Sequence, residues 1–491
     1  MEAGVEKHHA EKLAPDIFAV RRLQTAPAVA TIAGVIRNPL EGVMKRRDFA
    51  KVAAGATLAF TSGLWQVRAA ESDLKARSGQ PVYFRGWQYK TDIVQSNVDM
   101  YNKTMNGHVD YGTVTGDYPA IMERNLMAGG QLDMLYGNPS QAARYFDGGW
   151  IAPADELAAF NEIKADFLPN VWNASTYKGK LLGLSYFATT RGTIHVNLKA
   201  YQAAGMSDKD FPKGWDELYD QVFALHGKGV ATPLLPHWFS DWYGISWAFV
   251  FEVLNRGGNV ADDDTHKPTL TTDKNGPAYK TLASWKKLWN AKIVPAEVLT
   301  FDEAAFIAAY GSGRYVFSPQ QLYDLETFNA KGQSQIAGYD TLLPVQGQPW
   351  GLINHALYLM TSRKRPDAVT EDVRKFTSWY GFKDETGRIA VAERWMQASM
   401  LFSAYRSVME SPETAARIKK AVARPEDYKV VLDIYNASPF PKGVWLVTWS
   451  EEYNSWLKDS LSNFLVQDGD INTMINASNT KIKELNEKYG I

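Results

Sequence analysis

From Pro81 onward the chain alternates short strand-like runs with helical patterns, which points to α/β architecture with parallel sheets. Pro81 to Trp87 alternates apolar and polar positions, as a strand with one buried face does. Ile93, Val94, Val98, Tyr101 and Met105 then share one face of a helix over 92–105. A strand over 108–115 and a helix over 119–127 follow, the helix with proline in its first turn and Gly129-Gly130 past its end. Leu132 to Tyr136 reads as a third strand, and Gly137-Asn138-Pro139-Ser140 opens a helix that stops at Gly148-Gly149. Loops at the carboxyl ends of strands and ahead of helices are where open α/β sheets take ligands, so their contents carry the functional argument.

The chain has 491 residues, 45% of them hydrophobic, and no low-complexity tract. That is enough for two or three globular cores of roughly 100 to 200 residues each. Lys plus Arg at 53 nearly balance Asp plus Glu at 54, so there is neither a basic field for nucleic acid nor an acidic tail. Cysteine is absent, which excludes disulfides, thiolate nucleophiles, cysteine metal sites and an acylated cysteine anchor.

Residues 44–69 carry the marks of an export signal. Lys45-Arg46-Arg47-Asp48-Phe49-Ala50-Lys51 precedes an apolar run from Val52 to Leu64, and Val67-Arg68-Ala69 forms a small-x-small cleavage site before Ala70. The paired arginines resemble the twin-arginine signals that send folded proteins across the bacterial inner membrane, although Lys45 and Ala50 depart from that pattern. The apolar run is shorter than the roughly 20 residues that span a bilayer. A cleaved signal and a freely diffusing product in the periplasm are expected, with the twin-arginine translocase as the export partner. Residues 1–43 have no place in such a peptide and read as an extension upstream of a true start at Met44.

A run of further motifs gives the chain a specific likeness. Leu132-Asp133-Met134-Leu135-Tyr136, Gly149-Trp150-Ile151 and Pro153-Ala154-Asp155-Glu156-Leu157 come first. Tyr177 to Leu184, Arg191 to Leu198, Ala204-Gly205 and Pro212-Lys213-Gly214-Trp215-Asp216-Glu217-Leu218 follow. Phe301-Asp302-Glu303-Ala304-Ala305-Phe306 and Gly313-Arg314-Tyr315-Val316-Phe317-Ser318-Pro319 close the series. In this order and spacing they resemble the family 1 extracellular solute-binding proteins of bacterial ABC importers, the group that includes sugar-binding proteins, over most of residues 80–490. The resemblance implies a two-lobed, periplasmic-binding-protein-like (type II) α/β fold, each lobe a mainly parallel sheet flanked by helices, with the lobes joined by crossing strands. It places the first crossing near Ala188 to Gly192 and the return near Trp350 to Asn354. Lobe 1 would comprise 78–190 with 351–405, and lobe 2 would comprise 191–350 with 406–491. It also implies a monomer with two partners, a small-molecule solute and an inner-membrane ABC permease that reads closure of the lobes.

Sugars and polyols need planar donors and acceptors for their hydroxyls and aromatic faces for their C–H bonds. The densest such cluster is His237-Trp238-Phe239-Ser240-Asp241-Trp242-Tyr243, where the resembled family places aromatic and acidic contacts. His237, Trp238, Asp241 and Trp242 are therefore candidates, with core packing as the competing role for the aromatics. Trp87 and Tyr89 past the first strand join them, as do Tyr118 after Gly116-Asp117 and Arg191 at the crossing. Gln320 after Ser318-Pro319, and Trp350 with Asn354 at the return, complete that set. Asn138 and Ser140 are also candidates, although both sit where helix-capping residues belong. Gln320 and Gly137 stand where the maltose-binding pattern has tryptophans, which argues against maltodextrin and leaves monosaccharides, polyols and short oligosaccharides open.

A periplasmic carbohydrate-active hydrolase is the rival reading, and it would need two carboxylates about 5 to 10 Å apart across a cleft. Sequence does not exclude such a pair among 54 acids, but Asp262-Asp263-Asp264 reads as a solvated loop next to His266 and no other acidic grouping has a recognisable catalytic setting. The eight histidines form no His-Glu-x-x-His motif, and there is neither a phosphate-binding glycine loop nor a G-x-S-x-G elbow. Ser72-Asp73-Leu74-Lys75 spells S-x-x-K in a polar link and is read as chance. The expectation is a binding protein with no cofactor, no metal and no catalytic residues. Peptides or amino-acid derivatives remain the alternative class of solute.

Overall fold

The structure is a computed structural model that describes residues 74–491. The expected extension at 1–43 and signal at 44–69 lie outside the described residues. The first elements fall where the periodicity puts them: β1 (Val82–Gly86), α1 (Thr91–Thr104), β2 (Val109–Thr113), α2 (Tyr118–Met127), β3 (Met134–Gly137) and α3 (Pro139–Asp147). β1 shows alternating burial, and α1 buries Val94, Val98 and Tyr101 on one face. β4 (Ile151–Ala152) follows.

The next strand decides the architecture. β5 (Leu184–Asn197) runs for fourteen residues and is buried along nearly its whole length. Beyond it come α4 (Gly244–Asn255), α5 (Pro277–Asn290), α6 (Glu303–Gly311), β6 (Phe317–Gln321), β7 (Asp340–Leu342), β8 (Leu352–Thr361), α7 (Asp367–Gly381), α8 (Ser450–Val466) and α9 (Ile471–Tyr489). One eight-stranded sheet has the order β2-β1-β3-β8-β5-β6, with β4 beside β8 and β7 beside β5. Residues Leu184 to Arg191 of β5 pair with β8, and Arg191 to Asn197 pair with β6 and β7. A single strand thus serves both lobes, and its pairing with β8 sets the outgoing crossing against the return.

The expectation of mainly parallel sheets holds only for β2-β1-β3. β8 runs antiparallel to β3, β4 and β5, and β5 runs antiparallel to β6 and β7. The cause is the crossing itself, because a chain that leaves one lobe along β5 and comes back along β8 must lay the two side by side in opposite directions. Leu234 makes an isolated bridge to Phe317, and within the Gly313–Pro319 motif the strand starts only at Phe317.

Two glycines make the crossing possible. Gly192 has φ +84° at a break in the β5–β6 register, and a Cβ there would lie 2.6 Å from the Phe251 ring. Gly351 has φ +77°, and a Cβ there would lie 2.3 Å from the Arg191 carbonyl. Asn255, buried at the end of α4, accepts the Gly351 N–H at 2.8 Å and donates to the Gly351 carbonyl at 2.7 Å, which fixes the return. α8 packs on α4, α5 and α9, and α4 in turn contacts β5. Among the described residues no helix is long and apolar enough to cross a membrane.

Candidate functional site

The richest polar constellation sits where β5 changes partners. Side chains alternate along a strand, so Phe187, Thr189 and Arg191 share one face of β5. Asn354 stands opposite Thr189, and Gln321 stands opposite Arg191. Arg191 Nη2 donates to Glu303 Oε1 at 2.9 Å, Gln321 Nε2 donates to the same oxygen at 3.0 Å, and Asn354 Nδ2 donates to Gln321 Oε1 at 3.0 Å. Glu303 is the first residue of α6, whose amino end favours negative charge. The guanidinium carbon of Arg191 lies 4.8 Å from the ring centre of Trp247, which packs in turn on Trp445. A planar, hydrogen-bonded polar strip beside indole rings suits a polyhydroxylated guest.

His237 supports Arg191 from behind rather than lining a cleft. It is buried among Phe239, Phe251 and Phe306. Its Nδ1 donates to the Pro319 carbonyl at 3.1 Å, which leaves Nε2 as an acceptor 3.4 Å from Arg191 Nη1. Burial, reinforced by the Arg191 charge, holds its pKa well below the ordinary histidine value, so the ring is neutral and an acceptor is available. Asp241 is half-buried nearby; desolvation and the Glu303 charge raise its pKa. Asp324 is buried beneath the strip and accepts the Gln321 N–H at 3.1 Å, and desolvation followed by Glu303 pushes its pKa up to about 7.

Several candidates have structural roles instead. Trp238 is buried against Trp285, and Trp350 is buried against Trp215 with its indole N–H on the Pro344 carbonyl at 3.1 Å. Both rings went inward because burial against other tryptophans rewards their large apolar area. The buried Tyr118 hydroxyl accepts the Tyr136 N–H at 2.9 Å and lies 3.1 Å from the Arg85 and Tyr136 carbonyls, so it stitches β1 to β3. Gln320 is buried and donates to Ser318 Oγ at 2.9 Å, on the opposite face of β6 from Gln321. Asn138 caps α3: its side chain accepts from Gln141 N at 3.0 Å, and the Gln141 side chain accepts from Asn138 N at 3.0 Å. Ser140 donates to Asn138 Oδ1 at 2.7 Å and stands 2.5 Å from Glu451 Oε1, at the start of α8.

Trp87, Tyr89 and Trp242 keep some surface. Trp87 is half-buried, its ring 4.7 Å from Tyr136. Tyr89 is 40% exposed and stacks on Trp395. Burial raises the pKa of its hydroxyl, Ser399 works against that, and Asp324 and Glu326 add smaller upward pushes. Trp242 is 62% exposed, and it and Tyr243 both have left-handed backbone, φ 46° and 57°. Glu451 and Asp117 act on Tyr243, so this turn stands between α8 and the loop before α2.

Thr189, Trp247, Glu303, Gln321 and Asp324 were not singled out from the sequence. Glu303 lay inside the Phe301–Phe306 motif and Thr189 inside the expected crossing, so both carried a signal. Gln321 is one residue from the chosen Gln320, and β6 is buried on both faces, so no alternation told the two apart. Trp247 lies on a helix with ten buried residues out of twelve, which leaves no polar face to orient it. Among the described residues no group of three or more histidine, cysteine and acidic side chains could hold a metal ion.

The match to known proteins is consistent with this geometry. Residues 87–385 match the model of the bacterial extracellular solute-binding protein family. No curated protein sequence matches the chain. A maltose-bound protein of T. maritima superimposes with a TM-score of 0.65 at 15% identity, covering 82% of this chain and 99% of its own. A solute-binding protein of Agrobacterium radiobacter in complex with ribitol gives 0.66 at 14% identity, over 84% of this chain and 100% of its own. One from Agrobacterium vitis with bound D-mannitol gives 0.62 at 15% identity, over 84% and 99%. At such identities the superpositions speak for the two-lobed fold, and the family match speaks for the class: this chain belongs to the bacterial extracellular solute-binding proteins, which bind their solutes rather than transform them.

Proposed function

We propose that this protein is the substrate-binding component of an ABC importer, taking a small polyhydroxylated solute, such as a sugar, polyol or short oligosaccharide, between its lobes and delivering it to an inner-membrane permease. The observation that carries the reading is the Arg191–Glu303–Gln321–Asn354 strip beside Trp247, set at the strand crossing where both lobes are within reach. Maltose, ribitol and D-mannitol occupy similarly folded proteins, which supports the solute class.

In this reading lobe 1 is 78–190 with 351–405 and lobe 2 is 191–350 with 406–491. Arg191, Asn354 and Asp241 meet the solute together with Gln321 and Thr189. Trp87, Tyr89 and Trp242 approach from the rim. A solute touching both walls favours the closed arrangement by its differential affinity, and the permease reads that closure. The protein works in the periplasm as a monomer, exported by the twin-arginine translocase and cut near Ala69/Ala70.

Thermal unfolding with a panel of sugars, polyols, amino acids and short peptides tests the solute class, because a ligand bound only by the folded state raises the melting temperature. Carbohydrates or polyols are expected to raise it. A shift with peptides or amino acids alone would overturn the reading. Mass spectrometry of the exported protein tests the address, since any peptide from residues 1–60 in the mature form would contradict it.

A further inference from the structure

Resting on the reading of a polyhydroxylated solute, we infer that the guest carries an amine as well as hydroxyls, as an amino sugar or aminated polyol does, and that its ammonium group lies against Asp241 and Glu303. Three carboxyl groups, those of Asp241, Glu303 and Asp324, surround the strip, and the basic side chains that bear on them are Arg191 and, behind Asp324, His195. Neither is free to answer a second anion. Arg191 is committed to Glu303 at 2.9 Å, and His195 to Asp340 at 2.8 Å in a fully buried pair.

The amino end of α6 offsets part of the charge. Asp302 caps it through Ala305 N at 2.7 Å, and the backbone N–H of Glu303 bears on Asp241. One oxygen of Asp241, Oδ1, is nonetheless buried with no hydrogen-bond partner. Burial first, and the Glu303 charge second, raise the pKa values of Asp241 and Asp324, and the Arg191 charge offsets this only in part.

A second observation shows that the strip is built to be occupied. Thr189 is wholly buried on the same face as Arg191 and opposite Asn354, yet its hydroxyl has no partner. Arg191 is 6% exposed, and its Nε is also unpaired. Buried polar atoms are costly when left unmade, and a guest's hydroxyl oxygens would satisfy both. An ammonium group supplies three donors to the carboxylates, and the Trp247 ring beside Arg191 favours a cation over an anion. A uronic acid or sugar phosphate would add like charge to a site already in surplus.

Calorimetric titration of the mature protein with matched pairs tests this: D-glucosamine against D-glucose and N-acetyl-D-glucosamine, 1-amino-1-deoxy-D-glucitol against D-glucitol, and the glucosamine disaccharide against diacetylchitobiose. The amine member of a pair is expected to bind at least about tenfold more tightly than its neutral counterparts, the scale of one hydrogen bond to a charged group. Asp241→Asn and Glu303→Gln are expected to bring the ratio of amine to neutral affinity down to within about twofold of unity, whatever each does to neutral binding itself. If Glu303→Gln does not fold, Asp241→Asn alone decides. Neutral members binding as tightly as the amines would overturn this inference and leave the polyhydroxylated-solute reading standing. No binding of any pair would overturn it as well, and the wider thermal panel would then show whether the solute class has failed too.

Discussion

The start of α3 and the crossing of β5 with β8 both present polar side chains at strand ends, but they solve different problems. At α3, Asn138 takes its partners from two and three residues away, Ser140 and Gln141, and the result is a closed capping box. At the crossing, Arg191 draws on His237, 46 residues distant, and Glu303, 112 residues distant, and still keeps Nε unpaired. The first arrangement is complete within one turn of chain and stabilises a helix. The second is assembled from distant segments of the chain and leaves hydrogen-bonding capacity unspent, as the proposed binding role requires.

Arg191→Ala should sharpen that contrast most. Removing the guanidinium strands Glu303 and His237, and breaking such a pair costs about 2–4 kcal/mol once the partial exposure of Glu303 is allowed for. Loss of solute-induced thermal shift together with a lowered urea midpoint is the expected result. Asp324→Asn should come next. A folded-state pKa near 7 lies above the unfolded value of about 3.9, so the stability from holding the proton is full below about pH 4 and is lost as pH rises through 7. The variant should therefore gain on the parent by up to about 4 kcal/mol at pH 8 and flatten its pH–stability profile between 4 and 8.

Gln321→Ala against Gln320→Ala separates the two faces of β6. The former should weaken solute binding about five- to thirtyfold, or 1–2 kcal/mol, and the latter should leave the dissociation constant within about twofold. Asn138→Ala is the smallest effect, about 1 kcal/mol of stability with unchanged affinity. A tenfold loss of affinity in that variant would erase the distinction between the two regions.

The same distinction explains what could be read from the chain. β1 to α3 follow from periodicity and from local stop signals, because those features lie within a dozen residues of one another. The crossing was placed near Ala188–Gly192 and Trp350–Asn354 by likeness of motifs, and Gly192 and Gly351 give it a steric reason. The sheet direction was misjudged because strand pairing between residues 160 apart leaves no local trace. His237, Trp238 and Trp350 were chosen for their chemistry, and that chemistry serves equally well inside a core. Sequence showed which residue types were available, whereas which side of a buried strand each one faces emerged only from pairing.

The partner change along β5 has a consequence for how the molecule comes apart. Leu184 to Arg191 is hydrogen-bonded to one set of neighbours and Arg191 to Asn197 to another, along one unbroken backbone. Melting either lobe would strip the other of a strand that its own sheet is paired with. Neither lobe is thus an autonomous folding module, and heat should dismantle the pair in one cooperative step, however independently they are drawn in outline.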